Sequence, residues 1–150
     1  MTIIGTSKLY CNNLQNVAKL FEKHQQNPKN NGINIIDQVI SLSSDNKLCT
    51  GNLLSVRNYG QDRTYSVIIK NIGNVILGQD TELFTDSGKV KIKNGSLRTT
   101  VKVKCFLDNK IEYFPILQIT EYAKMYDHYQ LRVSNRDNYI LSSGLIVCAD

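Results

Sequence analysis

Thiols and imidazoles are the side chains of this sequence best suited to nucleophilic or metal chemistry, and there are four cysteines and two histidines. They are Cys11, Cys49, Cys105, Cys148, His24 and His128. The cysteines lie far apart, with neither a Cys-x-x-Cys pair nor the Cys/His spacing of a zinc site. Four cysteines could form two disulfides, but no signal-peptide pattern is visible, so we favour free thiols in the cytoplasm. We expect no metal and no cofactor.

Composition indicates one folded domain spanning residues 1–150. Hydrophobic residues make up 41% of the chain and charged residues 21%, enough for a core. The formal charge is +5, but lysines and arginines occur singly in alternating segments, which favours solvated strand faces over a nucleic-acid surface. No run approaches the ~20 apolar residues of a membrane span. We expect a monomer that binds neither nucleic acid nor membrane.

The elements that must position any site are one short helix followed by many strands. LQNVAKLFEKHQ has apolar residues at helical spacing and predicts a helix over residues 14–25, with His24 at its polar end. Pro28 and Gly32 break the chain, so residues 25–32 form a loop. Short alternating runs then follow, separated by turn signals such as SSDNK, NYGQD, NIGN, TDSGK and LDNK, and Asn94-Gly95 predicts a hairpin. The pattern is typical of a mostly β, compact and curled fold.

Four segments carry a resemblance to a known family. NVILGQDTELFTDSGKVKIKNGSL resembles the second conserved block of inteins and hedgehog-type autoprocessing domains, in which Thr-x-x-His lies between strands. MYDHYQLRV and NYILSSGLIV are similar to the paired terminal blocks, and MTIIGTSKLY to the first block. IDQVISLSSDNKLCTGNLLSV resembles a stretch between them. The resemblance implies a Hint-type fold that covers nearly the whole chain.

The resemblance also implies protein splicing, a series of intramolecular acyl transfers. Residue 1 attacks the carbonyl that precedes it, and the Thr and His of the second block act on that amide. The residue after the domain then receives the acyl group, and a terminal Asn cyclises with help from the preceding His. Both termini must then meet near the centre of the fold, and the partners are the flanking polypeptides, the exteins. On this interpretation the chain ends inside its own last strand.

The positions that act on the N-terminal bond are substituted in this sequence. Met1 stands at the nucleophile position, and its thioether cannot form a thioester. Gly78 and Thr81 stand where the family has Thr and His, so the usual imidazole is missing. Asp127, in the Tyr-Asp pair, matches a functional position of the family.

The positions that act on the C-terminal bond are substituted as well. Asp137 stands where many members have a His before the aromatic residue, and Cys148 replaces the penultimate His. Ala149 replaces the cyclising Asn, so it has no side-chain nucleophile. Asp150, at the position after the domain, is not Cys, Ser or Thr.

Simpler structural roles remain open for these residues. Cys148 can be a small buried hydrophobic residue, and Asp127 a turn or cap residue. Thr81 can simply be compatible with a strand. Asp80 and Asp137 are expected in turns. His128 follows Asp127 and so points to the opposite strand face, where we expect it at the surface.

Our leading hypothesis is a mini-intein without an endonuclease insert, in a splicing-inactive form. Met1 and Ala149 can be engineered substitutions, or the domain can have decayed and kept its fold, and a natural split near residues 25–32 stays open. Enzymatic activity would be a single autoprocessing turnover after restoration of the reactive residues. The alternative is a non-catalytic all-β binding or structural module of a virus or phage protein.

Overall fold

The structure is a computed structural model that describes residues 3–4, 8–9, 15–16, 38–94, 97–99, 101–134 and 137–149. These residues form strands and the turns between them. The strands are β1 (Ile3–Ile4), β2 (Lys8–Leu9), β3 (Gln15–Asn16), β4 (Gln38–Leu42), β5 (Leu48–Asp62), β6 (Thr64–Ile69), β7 (Gly73–Gly78), β8 (Glu82–Thr85), β9 (Gly88–Lys91), β10 (Lys102–Leu107), β11 (Lys110–Glu121), β12 (Tyr126–Val133), β13 (Asn138–Ile140) and β14 (Ile146–Cys148). One 3-10 turn, Ile92–Asn94, follows β9. The expected mostly β fold is confirmed.

The strands of the described residues pair into three antiparallel sheets. One has the order β1, β12, β5, β4, and a larger one runs β13, β14, β8, β10, β11, β6, β7, with β9 also paired to β8. β2 pairs with β3. β5 ends at Asp62 and β6 begins at Thr64, so the chain passes from the first of these sheets to the larger one at Arg63.

Tight turns at polar residues connect several of these strands, as the sequence predicts. SSDNK joins β4 to β5, NIGN joins β6 to β7, and LDNK joins β10 to β11. Asn46, Asn71, Asp108 and Asn109 have positive φ in these turns. Asn and Asp tolerate that left-handed conformation better than most other residues, which explains why the polar clusters become turns.

The larger core cluster draws buried side chains from both of the larger sheets. Leu77, Leu83, Val103, Ile116 and Val147 are fully buried in it and come from β7, β8, β10, β11 and β14. Burying each such side chain contributes about 1.5–3 kcal/mol. β8 and β14, which flank the candidate site, are therefore fixed by the core itself.

Three expectations from the sequence are not met. The helix over residues 14–25 is not shown, because Gln15–Asn16 pair as β3 and the rest, with His24 and the loop over residues 25–32, lies outside the described residues. NYGQD does not end a strand but continues β5, where Gly60 has φ +84° and the pairing with β12 shifts register as in a β-bulge. The hairpin at Asn94-Gly95 is also wrong, since β9 pairs with β8 and β10 pairs with β11. Among the described residues, no helix is long and apolar enough to cross a membrane.

Candidate functional site

A tight turn from Gly78 to Thr81 connects β7 to β8 at the centre of the candidate site. The Thr81 amide donates a hydrogen bond to the Gly78 carbonyl over 3.1 Å, and the Gln79 amide donates to the Arg63 carbonyl over 3.1 Å. Gly78 and Thr81 are both buried, Thr81 completely. The structure therefore places these two sequence-predicted site residues, both buried, at the two ends of one turn.

The imidazole of His128 packs directly against this turn. Its side chain is 2% exposed, so the expected surface position is wrong. A β-carbon built on Gly78 would lie 2.5 Å from Cε1 and 2.7 Å from Nδ1 of His128. The expectation rested on simple strand alternation, but the pairing of β12 with β5 shifts register between Asp127 and Tyr129, and the ring of His128 packs against Gly78 at the end of β7.

Side-chain interactions fix the turn from both sides. Gln79 Nε2 donates to Asp62 Oδ1 over 2.8 Å, and Lys93 Nζ lies 2.6 Å from Asp80 Oδ1 in an ion pair. The Gln79 hydrogen bond, followed by the Arg63 amide, lowers the pKa of Asp62. The hydrogen bond and charge of Asp80 raise the pKa of Lys93. Asp80 is a turn residue, as expected.

The same carboxylates face His128. Burial lowers the pKa of His128 from its ordinary 6.5, while Asp62, Asp80 and Asp127 act in the opposite direction by their charge. A hydrogen bond to the Asp62 backbone also acts to raise it. Burial outweighs the carboxylates, so the surroundings favour the neutral form of the imidazole.

Asp127 lies at the start of β12, half-buried and opposite Gln61 of β5. The next residue, His128, pairs across the strand with Ile4 of β1. β1 also lies beside β7, the strand that ends at Gly78. Asp127 and the turn thus flank the first strand of the chain, while Met1 itself lies outside the described residues.

The C-terminal site residues gather around β14. Asn138 pairs with Cys148, and the Ala149 amide donates to the Asp137 carbonyl over 2.7 Å. Cys148 is 1% exposed, and Ala149 is half-buried against the core. Asp137 is exposed at the bend before β13. Asp150 lies outside the described residues.

The Cys148 thiol is held in its protonated form. Burial raises its pKa to about 12, and the carboxylate of Glu82 adds to the effect by its charge and a hydrogen bond. The cysteines that the structure describes, Cys49, Cys105 and Cys148, are all free thiols. Because the thiolate is the nucleophilic form, Cys148 is a poor nucleophile at neutral pH.

β8 connects the turn to the C-terminal strand. Val147 pairs with Leu83 in antiparallel register. If the same register continues by one residue, Glu82 lies opposite Cys148. If it continues by two residues, Thr81 lies opposite Ala149. One end of the turn therefore contacts His128 beside the N-terminal strand, and its other end lies across from the C-terminal strand.

Sequence reasoning missed His128 and Asn138. Asn138 is buried, and its amide clamps the end of β4: Oδ1 accepts from the Leu42 amide over 2.7 Å, and Nδ2 donates to the Leu42 carbonyl over 3.0 Å. One signal pointed to His128, namely a glycine at position 78 where the resembling block has a side chain. A missing side chain leaves room that another side chain can fill.

Comparisons with known proteins give matches by structure and none by sequence. No family model matches the chain, and no curated protein matches it. The crystal structure of a DnaB intein from Synechocystis sp. PCC 6803 superposes with a TM-score of 0.78 at 16% identity, covering 99% of this chain and 98% of that one. The PabCDC21-1 intein gives a TM-score of 0.82 at 15% identity, covering 99% and 98%. The transcription factor IIB Mvu mini-intein gives 0.80 at 14% identity, covering 98% of each chain.

These likenesses extend over nearly the whole chain. They agree with the resemblance in the sequence, which was drawn from segments between MTIIGTSKLY and NYILSSGLIV. At such low identity they establish the fold and leave residue roles open. The chain has the Hint fold of the inteins.

Proposed function

We propose that this chain is a protein-splicing domain whose reactive positions are substituted. It would excise itself from between two exteins and join them, with residues 1–150 acting as one unit. One observation carries the proposal: the Gly78–Thr81 turn joins a strand beside β1 to a strand paired with β14, which suits a reaction that must pass an acyl group between the two ends. The inteins of similar fold support it.

The first half of the proposed reaction acts on the peptide bond before residue 1. A thiol at this position would attack the preceding carbonyl carbon, forming a C–S bond as the C–N bond breaks and the nitrogen takes a proton. Met1 cannot do this, because its sulfur carries a methyl group instead of a proton. Gly78, Thr81 and Asp127 are the proposed surroundings of this step.

The second half acts on the bond after residue 149. An Asn there would attack its own carbonyl carbon through its side-chain nitrogen, releasing the following amine and closing a succinimide. Ala149 has no such nitrogen, Cys148 is a weak donor next to it, and Asp150 cannot accept an acyl group as a thiol or hydroxyl would. Asp137 lies beside residue 149, because its backbone carbonyl accepts a hydrogen bond from the Ala149 amide.

The setting of the reaction is also part of the proposal. The partners would be exteins, in cis or as a split pair divided near residues 25–32, and the domain would act as a monomer. A reducing cytoplasm would suit it, since Cys49, Cys105 and Cys148 are free thiols. Either engineering or decay can account for Met1 and Ala149.

Two half-reactions test this function separately. The chain is placed between two folded reporter proteins, with Met1→Cys in one variant and Ala149→Asn in another. An added thiol should release the N-terminal reporter from the first, and the second should release the C-terminal reporter unaided. The unsubstituted chain is the control and should release neither. Folded variants that release neither reporter would favour the non-catalytic binding or structural module instead.

A further inference from the structure

The residue whose carbonyl carbon would react at the C-terminal bond lies just beyond the end of a short strand. β14 spans only Ile146–Cys148, and Ala149 follows it. The Ala149 amide donates a hydrogen bond to the Asp137 carbonyl over 2.7 Å. Because the backbone at the end of a strand opens most easily, the position of residue 149 depends on what holds Asp137 in place.

Asn138 holds Asp137 from the neighbouring position in the chain. Its Oδ1 accepts from the Leu42 amide over 2.7 Å, and its Nδ2 donates to the Leu42 carbonyl over 3.0 Å. Nδ2 also donates to Asp137 Oδ1 over 2.8 Å. Both hydrogens of this side-chain amide are therefore used, and an aspartate could not replace it, because a carboxylate has no hydrogen to donate. Asn138 is 5% exposed, so the bonds are shielded from water.

These bonds attach β13 to a part of the protein that is itself well anchored. β4 pairs with β5 along its whole length, from Gln38 to Leu42. The Leu42 side chain is buried in a smaller core cluster with Ile140 of β13 and Ile146 of β14. The end of β4 therefore contacts β13 through its backbone and shares an apolar cluster with both C-terminal strands.

An asparagine adds orientation at this place, which apolar packing alone does not supply. Burying an amide costs free energy that its hydrogen bonds must offset, whereas an apolar side chain has no such cost. In return, directional bonds to Leu42 and Asp137 fix the backbone of β13 in one position relative to β4. That position is the one from which the Asp137 carbonyl meets the Ala149 amide.

We propose that Asn138 is a positioning residue for cleavage of the C-terminal bond. This inference rests on the proposed splicing function. With asparagine at position 149, the side-chain nitrogen bonds to its own main-chain carbonyl carbon, and the bond from that carbon to the next nitrogen breaks. The side-chain nitrogen loses one proton, the departing amine gains one, and nothing is oxidised or reduced. By fixing the Asp137 carbonyl, Asn138 holds the residue 149 amide and favours the conformations from which the ring closes.

The test uses a parent chain with Met1→Cys and Ala149→Asn between two reporters, so that one sample reports both half-reactions. Asn138→Ala should lower the rate of C-terminal release by about 10- to 10²-fold, because small misplacements of reacting atoms have effects of this size. Thiol-induced release of the N-terminal reporter should stay unchanged, since that bond does not depend on the Asp137 carbonyl.

Ile69→Ala is the matched control for lost stability. It also removes a buried side chain, but from β6, which is separated from β14 by three strands in the sheet order. At a temperature where circular dichroism shows every variant folded, it should leave both rates unchanged. Equal C-terminal rates in Asn138→Ala and Ile69→Ala would overturn the proposal. An equal fall of both half-reactions in Asn138→Ala would overturn it too.

A spectroscopic measurement follows the position of residue 149 without any reaction. In the unsubstituted chain, nuclear magnetic resonance should detect scalar coupling across the hydrogen bond, between the Ala149 amide nitrogen and the Asp137 carbonyl carbon. This coupling should be lost in Asn138→Ala and kept in Ile69→Ala. A C-terminal rate that falls in Asn138→Ala while the coupling persists would overturn the proposal.

Asn138→Ser is a milder variant that answers the question even if Asn138→Ala does not fold. Its hydroxyl can still bond to the backbone of Leu42, so the coupling and the C-terminal rate should both fall, but less than in Asn138→Ala. A parent-like rate in folded Asn138→Ser with the coupling absent would overturn the proposal.

The assay also distinguishes this inference from the function on which it depends. If the parent chain releases its C-terminal reporter and Asn138→Ala releases it equally fast, the role of Asn138 is overturned and the splicing function stands. If the folded parent releases no C-terminal reporter, the inference and the C-terminal half of the proposed function are overturned together.

Discussion

The imidazole of His128 lies where a side chain at position 78 would begin, 2.5 Å from the β-carbon that Gly78 lacks. The two residues come from β12 and β7, far apart in the chain. Each restricts the other, since a larger residue at position 78 must displace the ring, and a smaller one at position 128 leaves a void.

Gly78→Ala should therefore destabilise the protein by about 1–3 kcal/mol, because its methyl group overlaps the ring. The same change made in a His128→Ala background should cost much less, since the ring is gone. Urea unfolding of the four proteins in this double-mutant cycle measures the coupling. Equal costs in the two backgrounds would show that the ring and the glycine are not in contact.

A pH series reports on the protonation of His128. Burial lowers its pKa below the ordinary 6.5, so in a window below pH 6.5 the unfolded chain binds a proton that the folded chain does not. Stability is then complete above that pH and decreases as the pH falls below it. From pH about 7 to about 5, the free energy of unfolding should fall more steeply for the parent chain than for His128→Gln.

Chemical denaturation at each pH measures this difference. Asp62 and the other carboxylates are common to both proteins, and Asp62 has a pKa lowered from 3.8, outside the window. They therefore cancel in the comparison. Parallel pH profiles, or a steeper fall for His128→Gln, would mean that the ring is not held neutral by burial.

The positions of many strands and turns along the chain followed from local signals. Asn46, Asn71 and Asp108 sit in turns that the sequence marked, because their side chains tolerate positive φ. The expectation failed at Gly60, where the same kind of signal produced a bulge inside β5. A glycine with positive φ suits either a turn or a bulge, and pairing with a distant strand decides between them.

The candidate site was predictable as a set of positions but not as a set of contacts. Gly78 and Thr81 were found by resemblance, yet the residue that touches the turn is His128. Its burial includes the close approach of its ring to Gly78 at the end of β7, and no local pattern records which distant residues meet. Asn138 was missed for the same reason, since its partner Leu42 belongs to a different part of the chain.

Asn138 offers a test of the fold around the C-terminal strand. Asn138→Ala removes both hydrogen bonds to the Leu42 backbone and the one to Asp137 Oδ1, and leaves polar backbone groups buried. We expect a loss of about 2–4 kcal/mol in the free energy of unfolding. Asp137→Ala, which removes one exposed partner, should cost less than about 1 kcal/mol. Similar costs for the two variants, measured by urea unfolding, would contradict the clamp.

Cys148 is predicted to be dispensable for C-terminal cleavage. In an Ala149→Asn background, Cys148→Ala should keep most of the cleavage rate, because a buried thiol with a pKa of about 12 is a weak donor. Cys148→His should not speed cleavage greatly, since a position that is 1% exposed has little room for an imidazole. The first-order rate of C-terminal reporter release at neutral pH measures both effects.

Two results would contradict this prediction for Cys148. Loss of cleavage in Cys148→Ala would make the thiol a participant in the reaction. A rise approaching about a hundredfold in Cys148→His would mean that the site accepts and uses an imidazole.

Ligation of the two flanking proteins tests the central claim most directly. Met1→Cys, Ala149→Asn and Asp150→Ser together supply a nucleophile at position 1, a cyclising side chain and an acyl acceptor. Mass spectrometry of this triple variant between two reporters should find the reporters joined by a peptide bond, with the excised domain as the second product. A folded triple variant that remains intact, or that yields cleaved reporters and never the joined product, would contradict the account.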